Sequence, residues 1–245
     1  RLKLEELSIS IRLFTTLVIF LLFNSSLFAQ DIFTTSFEEY SSGSVGGQNQ
    51  WAISSGTATI EDDTTIAHSG AKAINFQANN ETLVVDNTTF SGSQQGVSGI
   101  VYVDIYVKIN SMETKDFAIS GYDLFGGSEK RSFVLEFDTP SGNSGDFRIY
   151  NGSSKLNVGT YNFNEWNRIS ARIDYDKEVY QVIFNGSETF SAGFRESYTP
   201  TASGSRPDGI KEYHEMRFNL GYNGATGSVD ALVDDIYVSS TPIPD

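Results

Sequence analysis

The stretch IVYVDIYVKIN, residues 100 to 110, alternates apolar and polar side chains over eleven positions. Successive side chains of a β-strand point to opposite faces of its sheet, so this alternation predicts a long strand with one face in a core. The apolar set is Val101, Val103, Ile105, Val107 and Ile109. The opposite face carries two tyrosines, one acid and one lysine, a composition that predicts contact with water or with a ligand.

Similar alternating runs recur through the chain, for example at residues 131–138, 167–174 and 215–220, between clusters of Gly, Ser, Asn and Asp. No window after residue 30 shows the periodicity of an amphipathic helix. Many short strands separated by turn residues predict two antiparallel sheets packed face to face. We therefore expect one all-β domain over residues 31–240, with a long loop at 197–209 and the start of a linker at 241–245.

The N-terminal 30 residues have the layout of a secretory signal peptide. Arg1, Lys3 and Arg12 precede the apolar run 13–23, and Ala29 stands where a cleavage site is expected. The apolar run is shorter than the ~20 residues needed to cross a bilayer. The sequence thus predicts a secreted or cell-surface protein, of bacterial origin from the style of the signal, without a membrane span once the signal is removed.

Charge and cysteine content exclude several classes of partner and of stabilisation. The formal net charge of −14 over 245 residues disfavours binding to nucleic acid or to anionic lipid, although a local basic pocket could still hold a polyanionic sugar. Cysteine is absent, so an exported form has no disulfides and depends on its own core or on bound metal.

The polar faces of several strands suggest a carbohydrate-binding surface. Aromatic rings stack on the C–H faces of sugars, and charged or amide groups satisfy sugar hydroxyls. If the strands that carry them lie side by side, the ligand-binding residues are Tyr102, Asp104, Tyr106, Lys108, Arg172, Glu215, Arg217 and Asn219. The expected partner is a polysaccharide or a cell-surface glycan.

Four segments together resemble the concanavalin A-like lectin/glucanase superfamily, and more narrowly its secreted laminin-G-like jelly-roll modules. They are SFEEYSSGSVGGQNQW, AHSGAKAINF, EWNRISARIDYDKEVYQVIFNG and VDDIYVSS, within residues 33–240. The resemblance implies a two-sheet antiparallel jelly-roll sandwich, in which Asn185-Gly186 closes a hairpin and Trp166 lies in the core. The opening FE, HSG and final DDI also resemble carbohydrate-binding modules with a different strand order.

The same resemblance implies a structural calcium ion that joins the two ends of the domain. Its ligands here would be Glu38 from the opening segment and Asp234 or Asp235 from the closing strand. Adjacent acids repel one another unless a cation or hydrogen bonds compensate. The alternative is that Asp235 is a solvated edge residue and that Asp234 caps a turn.

Hydrolysis is one enzymatic alternative. Glucanases of this superfamily carry a Glu-x-Asp-x-x-Glu strand, whereas this chain reads EFDTPS from Glu136, with Ser141 in place of the last acid. Glu136 and Asp138 share a face about 7 Å apart, a separation closer to inverting than to retaining chemistry. The missing third acid argues against hydrolysis.

A polysaccharide lyase acting on a uronate-containing glycan is the second enzymatic alternative. The chain has two histidines that could act as a base, His68 in a turn and His214 near a strand start. Strand parity places His214 with Met216 and Phe218 and away from Tyr213 and Arg217, which weakens this hypothesis. A non-catalytic adhesion or spacer module is a third interpretation, and further modules could follow residue 245.

Overall fold

The computed structural model shows an all-β fold built from antiparallel strands. No α-helix occurs in the part of the chain that it describes, so no helix there is long and apolar enough to cross a membrane. The predicted signal peptide, the predicted loop at 197–209 and the end of the predicted linker lie outside the described residues. Those residues are 31–79, 83–90, 94–125, 129–138, 141–196, 210–221 and 227–242.

Eighteen strands occur within these ranges, all inside the predicted domain of residues 31–240. In chain order they are β1 (Asp31–Thr35), β2 (Gly43–Ser44), β3 (Trp51–Ser55), β4 (Thr57–Asp62), β5 (Lys72–Asn79), β6 (Leu83–Thr88), β7 (Val97–Ser98), β8 (Ile100–Met112), β9 (Phe117–Asp123), β10 (Lys130–Phe137), β11 (Ser144–Asn151), β12 (Ser154–Asn162), β13 (Trp166–Asp174), β14 (Val179–Phe184), β15 (Phe190–Gly193), β16 (Glu212–Tyr213), β17 (Glu215–Leu220) and β18 (Ser228–Ser239).

The strands form two large sheets and one small one. The first sheet has the order β15-β14-β13-β8-β18-β5-β4-β2, with β1 also paired to β18. The second has the order β12-β11-β10-β9-β17-β6-β3, and β16 pairs with β7 in a separate ribbon. The predicted two-sheet antiparallel sandwich is confirmed.

The core lies between the two large sheets and is rich in aromatic rings. The five alternating apolar residues of β8, from Val101 to Ile109, are fully buried, as their alternation predicts. Phe76 of the first sheet lies 5.1 Å from Phe218 of the second between ring centroids, and Phe147 of the second stacks on Phe184 of the first at 4.2 Å. Burial of such rings is a main source of stability in a chain without cysteine.

The core tryptophan is Trp51, and the prediction that Trp166 fills this role is wrong. Trp51 is 2% exposed and donates a hydrogen bond from Nε1 to the Tyr40 hydroxyl at 3.1 Å. Trp166 begins β13 opposite Lys108, so it points to the outer face of the first sheet and is only half-buried. A resemblance over short segments did not distinguish the two sites, because either tryptophan precedes an alternating strand.

Strand β18 pairs with β8 along one edge and with two different strands along the other. Its first half pairs with β5 and its second half with β1, so the two ends of the domain meet on this strand. A bulge separates the halves between Asp234 and Tyr237, where Asp235 has a left-handed φ of 46°. A bulge redirects side chains, and here it places two adjacent acids at the junction.

A loop between β4 and β5 folds over this junction. Buried Asp234 accepts hydrogen bonds through Oδ2 from the backbone N–H groups of His68 at 2.9 Å and Ser69 at 3.1 Å. Asp235 bonds to His68 Nδ1 at 2.6 Å and to the Ser69 hydroxyl at 2.7 Å. Burial raises the pKa of Asp234 to about 6, although the N–H groups of the loop oppose this shift.

Glu38 holds the other side of the same loop. Its Oε1 accepts hydrogen bonds from the backbone N–H groups of Ala71 and Lys72, both at 2.8 Å. Gly70 has a φ of +62°, and a side chain there would collide with the Glu38 carboxylate. Glycine is therefore required at this position. We call the segment 68–72 with Glu38, Asp234 and Asp235 the latch.

The three predicted calcium ligands thus meet at one loop, but their arrangement does not fit a calcium ion. Calcium takes six to eight oxygen ligands. Here Oδ2 of Asp234 and Oε1 of Glu38 each accept two N–H groups, and Asp235 contacts an imidazole nitrogen. Within the described ranges, no group of three or more His, Asp or Glu side chains is placed to hold a metal. A calcium site remains a prediction from the resemblance.

Hydrogen bonds satisfy the latch carboxylates without a cation, so we expect calcium to leave the thermal stability unchanged. The measurement is the Tm of the protein in EDTA and in millimolar calcium chloride, with magnesium chloride as an ionic control. A calcium-specific rise of several °C that is lost in Asp234→Asn would instead support the calcium prediction.

Candidate functional site

The predicted ligand-binding residues do not form one surface. Tyr102, Asp104, Tyr106 and Lys108 lie on β8 and Arg172 on β13, in the first sheet, whereas Glu215, Arg217 and Asn219 lie on β17, in the second. The two sets face away from the core on opposite sides of the sandwich. The prediction of a shared surface is therefore wrong, because strand parity tells which face a side chain occupies but not which sheet holds the strand.

Tyr106 and Lys108 contact the loop between β4 and β5 that includes part of the latch. The His68 ring stacks on Tyr106 with centroids 3.6 Å apart and meets Trp166 edge-on at 5.4 Å. Lys108 donates from Nζ to the Ile66 carbonyl at 3.2 Å and lies over the Trp166 ring at 5.1 Å. These side chains contact the loop and hold it in place. Tyr102 is the tyrosine of β8 that this loop leaves uncovered.

Arg217 is engaged by carboxylates on the second sheet. Its guanidinium bonds to both oxygens of Glu129 at 2.8 Å, to Glu215, and lies 3.4 Å from Asp86. The guanidinium also lies over the Tyr122 ring at 4.2 Å. Burial raises the pKa of Glu215, and the charge of Arg217 opposes this rise. The network therefore offsets part of the cost of burying the carboxyl group. Asn219, 9% exposed, lies on the same strand.

A groove occurs on the outer face of the first sheet where the remaining predicted residues lie. Its volume is about 470 Å³, within the usual range for ligand sites. Strands β8, β13 and β14 form its floor, and the turn after β14 and Pro242 form its walls. We call it the first-sheet groove; the side chains used below are Tyr102, Asp104, Arg168, Ser170, Arg172, Gln181 and Ile183.

Strand register explains why the sheet surface is hollow here. Ser170 pairs with Asp104 on one side and Ile183 on the other, so the middle of this row carries a small side chain. The next row places Tyr102, Arg172 and Gln181 side by side. A small residue flanked by longer neighbours leaves a depression with an aromatic ring at one edge.

Polar groups and one apolar side chain line this depression. Arg168 donates hydrogen bonds to the buried Asp104 carboxylate from Nε at 3.0 Å and from a terminal nitrogen at 2.6 Å. These bonds fix both side chains. Ile183 is 37% exposed and adds an apolar surface to the lining. The described lining contains neither histidine nor lysine. This composition suits binding of a polyhydroxylated ligand better than proton transfer.

Sequence reasoning missed Arg168, Gln181 and Ile183 as groove residues. The signal was present, because Asn185-Gly186 predicts a hairpin that sets β14 beside β13. The structure confirms that hairpin, with positive φ at both turn residues, 49° and 71°. Parity along residues 179–184 then puts Gln181 and Ile183 on the outer face.

A pair of acids marks the outer face of the second sheet. Asp116, just before β9, shares a hydrogen bond with Glu136 of β10, and Lys155 donates to Glu136 Oε1 at 2.8 Å. Burial first, then the hydrogen bond and charge of Glu136, raise the pKa of Asp116 to about 7. Asp138 pairs with Arg148, and Ser141 forms an isolated bridge to Ser144 at the turn. The glucanase pattern is thus not completed at position 141.

Neither histidine lies in the groove. His214 is fully buried, with Nε2 2.8 Å from the Gln94 carbonyl and 3.7 Å from Glu212, and Nδ1 3.5 Å from Asp123. His68 belongs to the latch. The base that the lyase hypothesis assigned to His214 is therefore not accessible from the sheet surface.

Asp116→Asn is expected to stabilise the protein at high pH. The folded state keeps a proton on Asp116 that the unfolded chain releases near pH 4, so this carboxyl lowers stability as pH rises from about 4 to about 7. We expect the Tm of the variant to exceed that of the parent by several °C at pH 8 and to match it at pH 4.

The control for this measurement is Asp146→Asn on the same sheet. The Arg148 hydrogen bond lowers the pKa of Asp146, so its amide should bring no gain at pH 8. Equal pH profiles for the parent and Asp116→Asn would contradict the assigned protonation of the acid pair.

The fold has solved structural neighbours among carbohydrate-active proteins. No family model and no curated protein sequence matches the chain. A sialidase aligns with a TM-score of 0.59 at 15% identity over 87% of this chain, which spans 18% of the sialidase. A conserved carbohydrate esterase from Shiga toxin-encoding bacteriophage phi24B aligns with a TM-score of 0.56 at 16% identity, over 88% of this chain and 100% of that one.

A β-glucanase from Bacillus licheniformis aligns with a TM-score of 0.51 at 10% identity, over 85% of this chain and 98% of that one. At these identities the likeness shows the fold alone. The chain folds as a two-sheet jelly-roll sandwich, as the sequence predicts.

Proposed function

We propose that this protein binds a polysaccharide in the first-sheet groove. The observation that carries the proposal is the groove itself, about 470 Å³ in volume and lined by the Tyr102 ring, the Asp104–Arg168 pair, Arg172 and Gln181. A ring with hydrogen-bonding groups around it matches the alternating C–H faces and hydroxyls of a sugar chain. The half-buried Tyr102 supplies the stacking surface.

Two further observations support a binding role. The Arg168 guanidinium fixes the Asp104 carboxylate, so the groove is preorganised for a ligand. The jelly-roll sandwich is also shared with a carbohydrate esterase and a β-glucanase. The predicted signal peptide suggests that binding takes place outside the cell.

Loss of the Tyr102 ring should weaken binding without unfolding the protein. We expect Tyr102→Ala to raise the Kd for the polysaccharide about tenfold, as measured by weaker retention in affinity electrophoresis through polysaccharide gels. A tenfold change in Kd corresponds to a stacking contribution of about 1.4 kcal/mol. The matched control is Phe125→Ala, which removes a 37%-exposed ring that follows β9 of the second sheet.

Near-ultraviolet circular dichroism and Tm would establish that both variants fold. Retention by Tyr102→Ala equal to that of the parent, or an equal loss in Phe125→Ala, would place binding elsewhere.

A further inference from the structure

The first-sheet groove is followed by a second hollow on the same sheet face. The second hollow has a volume of about 340 Å³ and is lined by Asn151, Asp174, Lys177, Val179, Ser191, Ala192 and Gly193. Arg172 and Gln181 line both cavities, so they form the boundary between them. Gly193 lies opposite Val179 and carries no side chain, which deepens this end.

The two cavities follow β13 from Arg168 to Asp174. Six residue steps along a strand cover about 20 Å. Glycan chains extend by linking sugar units end to end, so a continuous path of this length holds several consecutive units. This geometry fits an internal stretch of a linear chain better than a single terminal sugar.

The charges along this path are unevenly balanced. The Asp104 carboxylate is occupied by Arg168 in the first-sheet groove. At the boundary and beyond, Arg172 and Lys177 share a single carboxylate, that of buried Asp174, at 3.3 and 3.5 Å. The backbone N–H of Lys177 also donates to Asp174 Oδ1, at 3.1 Å. Among the side chains that line the two cavities, positive charges therefore exceed negative charges by one, on a protein whose formal net charge is −14.

Arg172 is exposed enough, and has enough N–H donors, to bind an anionic group of a ligand. Its side chain is 32% exposed and that of Lys177 is 74% exposed, whereas Asp174 is 4% exposed beneath them. A guanidinium has five N–H donors in a planar fork that matches a carboxylate. A single hydrogen bond to Asp174 leaves most of that fork for a ligand on the groove side.

We propose that the two cavities together bind a linear polysaccharide whose sugars carry carboxylate groups, with Arg172 and Lys177 pairing with those carboxylates. This inference rests on the proposed function and specifies its ligand class. The unfavourable long-range field of an acidic protein slows the encounter with such a chain, while the two local cations select it over neutral chains once in contact.

The test compares alginate and polygalacturonate with a neutral mixed-linkage β-glucan as the immobilised probes. We expect the parent protein to bind the two uronate polymers and to bind the neutral glucan at least about tenfold more weakly. Sodium chloride screens both the repulsion from the acidic protein and the local ion pairs, so we expect the difference in uronate binding between the parent and Arg172→Gln to shrink as salt rises from about 50 to about 300 mM.

Arg172→Gln should weaken uronate binding by about tenfold, and Arg172→Lys should recover part of it. The matched control is Arg148→Gln, which removes an arginine paired with two acids, Asp138 and Asp146, on the second sheet. Binding of Arg148→Gln should equal that of the parent, and each variant's Tm reports whether it folds.

Equal binding to neutral and uronate polymers, with no effect of Arg172→Gln, would overturn the acidic ligand class and leave the groove as a neutral-glycan site. Loss of binding in Arg148→Gln as well would show that the second sheet takes part and would also overturn the assignment. Absence of binding to every polysaccharide would contradict the proposed function itself.

Discussion

Strand β8 lies between β13 and β18 in the first sheet, and its alternation decides which side chains enter the core and which face outward. Its inner residues are fully buried against the second sheet, so the strand cannot slip by one position without exposing five apolar side chains. That constraint orients Tyr102 and Asp104 outward. Pairing with β13 then sets Arg172 beside Tyr102 and Ser170 beside Asp104, and the groove follows from the sizes of these side chains.

The sequence predicts the periodic features of this protein well and its long-range contacts poorly. Alternation identified the sandwich, the buried face of β8 and the outward position of Arg172, because these depend on neighbours two residues apart. It could not separate β17 from β8, since nothing within Glu215–Leu220 records which sheet the strand joins. Nor could it show that His68 covers Tyr106, because that contact joins a loop to a strand nearly forty residues later in the chain.

The two outer faces use charge differently. On the second sheet Arg217 is surrounded by carboxylates and a tyrosine ring, and burial and the neighbouring Glu136 raise the pKa of Asp116, so ionic groups there interact mainly with one another. On the first sheet Arg172 and Lys177 share one acid and remain partly exposed. The latch covers the junction of the chain ends, where Glu38, Asp234 and Asp235 accept hydrogen bonds from N–H and hydroxyl donors.

We propose above that a glycan binds to the outer face of the first sheet. Amide hydrogen exchange of the intact protein with and without an oligosaccharide of the bound polysaccharide tests this most directly, because it locates the contact without any substitution. The account predicts slower exchange in peptides that cover β13, β14 and the turn at residues 185–189. Slower exchange confined to peptides of β9, β10 and β17 would contradict it.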